Sequence, residues 1–231
     1  MPLLTKRGVP PLTGLAFLLC AVSVGVAAPQ RLPFTDTRWQ FRPGPGPAGG
    51  TAKPIPLVEA ARHGSVTVTS SNAGDILTLQ SGDAGFSVVW QEGRPVPSRV
   101  QYDFRGLGPM TSCGVSVDTR KHWQLDAALL TLYASDKRQS QLPNGWYKAT
   151  VAAQYDPAKW YRVVVENYDT FSRVRVAQRD SGFLLADYDH VAHERLGSVQ
   201  LELAKVGAKK PFAIEYANVS VETGLPPAAA A

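Results

Sequence analysis

Two stretches decide the fold class of this chain: Trp160-Tyr161-Arg162-Val163-Val164-Val165-Glu166, and shortly after it Ser172-Arg173-Val174-Arg175-Val176. In an extended strand successive side chains point to opposite faces, so residues two apart share an environment. Tyr161, Val163 and Val165 therefore form one apolar set, with Arg162 and Glu166 expected in solvent. Val174 and Val176 form a second inward set, and Arg173 and Arg175 face outward. The same period recurs in Val199, Leu201 and Leu203, and in Val100, Tyr102 and Phe104 against Gln101, Asp103 and Arg105.

Working outward, extended segments are expected over 65–69, 75–80, 86–91, 99–105, 111–117, 125–133, 146–155, 160–166, 170–179, 198–205 and 212–222. Polar turns such as Ser71-Asn72-Ala73-Gly74 and Gly82-Asp83-Ala84-Gly85 separate them. Short strands at this spacing are the pattern of an all-β sandwich or barrel. Helix is hinted only at 57–62 and 126–132. The last segment changes phase: Phe212, Ile214 and Tyr216 share one parity, Val219 and Val221 the other. A change of parity within one inward face requires a bulge, placed here at Ala217-Asn218.

The ends of the chain read differently. Lys6 and Arg7 precede an apolar run over 12–26, and small residues follow at Gly25, Ala27 and Ala28. This is the three-part pattern of an export signal, with cleavage expected after Ala27. The run is shorter than the ~20 apolar residues of a spanning helix, so no transmembrane segment is expected in the mature chain. Residues 28–60 read as an N-terminal leader in which 31–42 supplies a first strand and PGPGPAGGTAKPIP (43–56) a Pro/Gly-rich linker. The sandwich domain is expected over 61–224 and a small-residue tail over 225–231. Removing the signal leaves Cys113 as the single cysteine, so the mature domain contains no internal disulfide and depends on its core.

Lys and Arg number 24 against 19 for Asp and Glu. Without Lys6 and Arg7 the excess is three, and it is scattered. A nucleic-acid partner needs a clustered basic face and is not expected. Mild basicity suits attraction to an acidic surface or polysaccharide.

The order Gly145-Trp146-Tyr147, Trp160 to Glu166, Gly197-Ser198-Val199-Gln200-Leu201 and Ala217-Asn218-Val219-Ser220-Val221 resembles the second half of concanavalin A-like jelly rolls of the laminin-G and keto-disaccharide-hydrolase-like type. Those domains carry a "W-y-r-v-r-v" strand, a "G-x-v-x-L" strand and a closing "f-x-N-V-x-V" strand. The resemblance covers about a third of the chain. It implies a two-sheet antiparallel β-sandwich, a concanavalin A-like jelly roll, in a family whose members either bind glycans and proteins or cleave polysaccharides. The matched positions are structural and carry no catalytic residue across. The paired-carboxylate strand of retaining glycosidases on this fold, Glu-x-Asp-x-x-Glu or Glu-x-Asp-x-Glu, does not occur, and the Arg-rich and Gln-x-His strands of lyases are not recognisable.

Candidate ligand-binding residues are Arg120, His122, Trp123, Trp146, Tyr147 and Tyr188. They are aromatic and basic groups placed at or near loops, a mixture that suits stacking on a sugar ring and pairing with an acidic glycan. Trp39, Trp90 and Trp160 read as core. Candidate metal ligands are Asp187, Asp189, His190, His193 and Glu194. The two aspartates suit calcium and the His-Glu group a transition metal, although the spacing matches neither a calcium loop nor a zinc helix. The plain alternative for this cluster is a solvated connection between Arg179 and Gly197. Asp103 and Arg105 read either as lining a groove or as cross-strand ion pairs. Asn218-Val219-Ser220 fits the glycosylation acceptor pattern, inside an expected strand.

The favoured reading is a secreted non-catalytic sandwich binding a glycan or cell-envelope partner, because catalytic motifs are absent; a secreted glycoside hydrolase or polysaccharide lyase and a structural or assembly module are the alternatives. No cofactor is required by any of these, with calcium the one metal anticipated. The expected location is periplasmic or extracellular.

Overall fold

The computed structural model describes residues 28–43, 53–63, 66–80, 86–90, 98–107, 114–116, 121–126, 129–135, 146–154, 156, 158–168, 171–191, 199–203 and 213–226. The expected signal (1–27), most of the linker, Cys113, and the tail from 227 onward lie outside these residues.

The elements follow the period-two pattern. In chain order they are Gln30–Arg31 (β1), Trp39–Pro43 (β2), Ile55–Pro56 (β3), the helix Leu57–Arg62 (α1), Thr67–Ser71 (β4), Gly74–Gln80 (β5), Phe86–Trp90 (β6) and Ser98–Leu107 (β7). Then come Gly114–Ser116 (β8), Lys121–Asp126 (β9), Leu129–Ser135 (β10), Trp146–Gln154 (β11), Tyr161–Asn167 (β12), Phe171–Gln178 (β13), Leu184–Val191 (β14), Val199–Leu203 (β15) and Ala213–Thr223 (β16).

Among the described residues every strand pairing is antiparallel. The large sheet runs β14-β13-β12-β7-β16-β5-β4, with β1 also on β16; a second sheet runs β3-β2-β6-β15-β8, and β9, β10 and β11 form a third. The protein is an all-β antiparallel sandwich. Two sheets face each other because each has one apolar face that must leave water. The large sheet contributes Leu77, Leu79, Val100, Tyr102, Phe104, Tyr161, Val163, Val165, Val174, Val176, Ile214 and Tyr216. The second sheet contributes Trp39, Phe41, Val88 and Trp90, all in one buried cluster. Trp39 stands edge-on to Trp90 with ring centroids 5.2 Å apart, and Phe34 packs on Trp39 at the same distance.

The inward sets expected in 161–165, 174–176 and 100–104 are all buried. The phase change is where the sequence puts it. Pairing of β16 with β7 slips between Ala217 and Ser220, and Asn218 takes a left-handed backbone, φ 54°, which asparagine tolerates better than most residues. Ile214 and Tyr216 before the bulge and Val219 and Val221 after it are therefore all buried.

Four expectations change. Glu166, expected in solvent, is buried, because arginines on both neighbouring strands close over it. The stretch from Arg179 onward is a tight turn and then β14, paired in register with β13, so Asp187 to His190 lie in a strand and not in a loop connection. The segment 125–133 is two antiparallel strands, β9 and β10. The segment read as a leader supplies Leu32, Phe34, Trp39, Phe41 and Leu57 to the core.

Candidate functional site

The outer face of the large sheet is built from the residues left over once the apolar parity turns inward. On β7 these are Arg99, Gln101, Asp103 and Arg105; on β12, Arg162, Val164 and Glu166; on β13, Arg173 and Arg175; on β16, Glu215 and Glu222. Register sets opposite charges across from one another: Arg162 faces Asp103, Glu166 faces Arg99, Glu166 faces Arg173, and Glu215 and Glu222 face Arg105 and Arg99.

The contacts follow. Arg162 donates to both Asp103 oxygens, Nε at 2.8 Å and the terminal nitrogen at 3.1 Å. The Asn218 amide nitrogen donates to the same carboxylate at 2.8 Å. Glu166 Oε1 accepts from Arg99 at 2.7 Å and from Arg175 at 3.0 Å. Arg99 also donates to Glu222 at 2.6 Å, and Arg105 Nε to Glu215 at 2.8 Å. These hydrogen bonds hold the Arg162 and Arg99 guanidiniums above their ordinary basicity. For Arg162 the bond to Asp103 is the largest cause. For Arg99 burial is the largest influence and acts downward, but the bonds and charges of Glu166 and Glu222 outweigh it.

The two signs are not equally accessible. The arginines at 99, 105, 162 and 175 are 36, 31, 39 and 41% exposed, whereas Glu166, Glu222, Glu215 and Asp103 are 8, 11, 15 and 0% exposed. Over β7, β12, β13 and β16 the face presents guanidinium groups to solvent above a layer of covered carboxylates, while at the β14 edge Asp187, opposite Arg175 in register, is exposed. Each carboxylate fixes its arginine, so N–H groups not used below point to a partner from a pre-set position. The half-buried Trp160 extends this edge, with the Arg105 and Arg179 guanidiniums 5.0 and 5.3 Å from its ring. It belongs to this cation–π group rather than to the core, which is where the sequence put it.

Most of the residues singled out from sequence lie elsewhere, although Asp187 and Asp189 border this face from β14. His122 and Trp123 are on β9, and Trp146 and Tyr147 on β11, in the third sheet with β10 between them. In register His122 aligns through Tyr133 with Lys148, and Trp123 through Leu132 with Ala149, so the two pairs of residues lie two strands apart and are offset by two residues along them. Tyr188 is in β14, opposite Val174 in register. β14 also runs close to β11. Arg120 lies outside the described residues. Of the metal candidates, Asp187 and Asp189 stand opposite Arg175 and Arg173, and His190 opposite Ser172; His193 and Glu194 lie outside the described residues. Among the described residues no group of three His, Cys, Asp or Glu side chains is gathered as a metal site.

The arginine-topped face was only half visible in the sequence. Asp103 and Arg105 were weighed as cross-strand pairs, and both are paired. Arg162 reads from sequence as solvated, and Arg99, Glu215 and Glu222 carry no signal of their own, because a charge at an outward position looks alike whether it is solvated or locked. The signal was available as alternate charged positions on segments that share one parity.

No family model matches this chain, and no curated protein matches it. Solved structures with a similar arrangement include a botulinum neurotoxin type C whose cell entry depends on two ganglioside molecules (TM-score 0.44, 12% identity, 69% of this chain and 41% of that one). A functionally unknown protein from Saccharomyces cerevisiae is similar at TM-score 0.48 and 12% identity, over 69% of this chain and 93% of that one. The alginate lyase from Klebsiella pneumoniae is similar at TM-score 0.44 and 9% identity, over 79% and 94%. This chain thus spans less than half of the neurotoxin chain. Values this low bear on neither activity nor ligand, and the functional argument rests on the side chains.

Proposed function

We propose that the protein is an exported, non-catalytic jelly roll of the laminin-G or keto-disaccharide-hydrolase-like type that binds an acidic polysaccharide of the cell envelope or its surroundings. The observation that carries this reading is the vertical separation of charge over β7, β12, β13 and β16, with guanidiniums outward and carboxylates covered. A chain bearing carboxylate or sulfate groups at regular spacing meets donors that are already oriented, so little ordering is needed on binding. The same geometry disfavours acid–base cleavage at this face. A general acid or base must reach its substrate, and Asp103 and Glu166 are screened from it by Arg162, Arg99 and Arg175.

The test is retention of the purified protein on an immobilised polyuronate and on a neutral glucan at low and high salt, with a parallel assay for reducing ends and unsaturated products. Polyuronate binding that weakens with salt, as screening of surface charge requires, supports the reading. Arg175→Ala and Arg105→Ala should each weaken it several-fold. Product release would replace the reading with an enzyme, and equal retention on both matrices would remove the arginine face from the argument.

A further inference from the structure

The large sheet changes partners along β16. Residues Ala213 to Ala217 pair with β5 on one side. Beyond the bulge, Ser220 and Val221 pair instead with Arg31 and Gln30 of β1, and the Leu32 amide donates to the Val219 carbonyl at 2.9 Å. A crevice of about 240 Å³ opens where β5 has ended and β1 has begun. One wall is Gly74 and Asp75 at the start of β5, the other is the stretch 31–34, and Asn218 and Val219 lie between them.

Local geometry holds the crevice in shape. Asn218 is pinned by its left-handed backbone and by the bond from its amide nitrogen to Asp103, which leaves its carbonyl oxygen on the Gly74 side. A β-carbon at position 74 would come within 3.6 Å of that oxygen, and Gly74 has φ 119°, a backbone that residues with a side chain rarely adopt. Asp75 accepts a long hydrogen bond from Thr35 Oγ1 at 3.3 Å.

We propose that this crevice is a ligand site separate from the arginine face, and that it takes a neutral polyhydroxyl ring the size of one sugar unit. Size sets the first limit, since drug-sized ligands occupy roughly 300–1,000 Å³ and this space is smaller. Charge sets the second. Arg31 and Asp75 contribute one cation and one anion, so an ionic ligand gains on one side what it loses on the other. Hydrogen-bond chemistry sets the third. A carboxylate and an amide carbonyl accept, a guanidinium donates, and a hydroxyl group does both. The exposed Pro33 at its boundary suits the C–H face of a ring, while Leu32 and Val219 behind it are buried in the core.

The experiment is saturation-transfer NMR on the purified protein with glucose, galactose, mannose, xylose and arabinose as separate probes, at low and at high salt, repeated for Asp75→Ala and Arg31→Ala. We expect at least one of these sugars to bind in the millimolar range and with no salt dependence. Asp75→Ala should lower its affinity tenfold or more, and Arg31→Ala several-fold, with melting temperatures unchanged in both. Polyuronate retention should survive Asp75→Ala, which separates this site from the arginine face. Binding of none of the five sugars overturns the proposal, and so does sugar binding that is insensitive to Asp75→Ala. Either result leaves the polyuronate reading where its own test puts it.

Discussion

Consider the pair Asp103 and Arg162, removed one partner at a time. Arg162→Met strips the carboxylate of its bidentate partner and leaves it inside the sheet, wholly covered, with the Asn218 amide still donating to it. Stranding one member of a buried ion pair typically costs about 3–5 kcal/mol. Asp103→Ala strands Arg162 instead, but that side chain is 39% exposed and can turn its guanidinium to water. Its loss is then nearer that of hydrogen bonds to a charged group, about 1.5–3 kcal/mol. For a domain of this size each kcal/mol moves the melting temperature by about 2–4 °C, so Arg162→Met should melt roughly 6–20 °C low and Asp103→Ala clearly less. The double variant should resemble Asp103→Ala, because removing the carboxylate cancels the penalty that the arginine variant exposes. Thermal melts of the three variants give the shifts, and urea unfolding gives the free energies. Asp103→Ala as damaging as Arg162→Met, or a double variant equal to the sum of the singles, would refute the claim that burial is divided unequally between the partners.

Other outcomes follow from the core and from two tyrosines. Val163 is wholly buried, so Val163→Asp should abolish the folded state by placing an unpaired charge among apolar groups; a normal cooperative melt monitored by circular dichroism would contradict the inward face of β12. Trp39→Ala should cost about 3–5 kcal/mol, read as a lowered urea midpoint, since Trp39 packs against Phe34 and Trp90 at the centre of the sandwich. Tyr161 and Tyr168 are held above the usual phenol pKa, chiefly by burial. A folded value above the unfolded one gives stability that is complete below about pH 10 and is lost as pH rises through the folded value. Alkaline absorbance titration should therefore show late-ionising tyrosines, with unfolding setting in as they titrate.

The fold was legible because its determinant is local. Alternation in 161–165, 174–176 and 100–104 names the inward side chains without any knowledge of which strands are neighbours, and a parity change inside one apolar face locates a bulge to within a residue. What alternation cannot supply is register. Glu166 looked solvated because nothing in its own segment shows that Arg99 and Arg175 arrive on either side of it from 67 residues before and nine residues after. The stretch beyond Arg179 reads as a loop for the opposite reason: Asp187, Asp189 and His190 are polar, and the pairing with β13 that makes it a strand is not written in its own segment. The crevice was invisible for the same cause, since it is assembled from three segments of the chain that are remote in sequence.

The placement of β16 has a consequence for how the chain acquires its shape. It is the last of the described strands to be synthesised, yet it sits in the interior of the large sheet between β7 and β5. Until it emerges, β14-β13-β12-β7 and β5-β4 are two separate ribbons, and the N-terminal β1 has nothing to pair with. Such long-range closure slows folding, so the large sheet is completed only once the last described strand has joined its two halves.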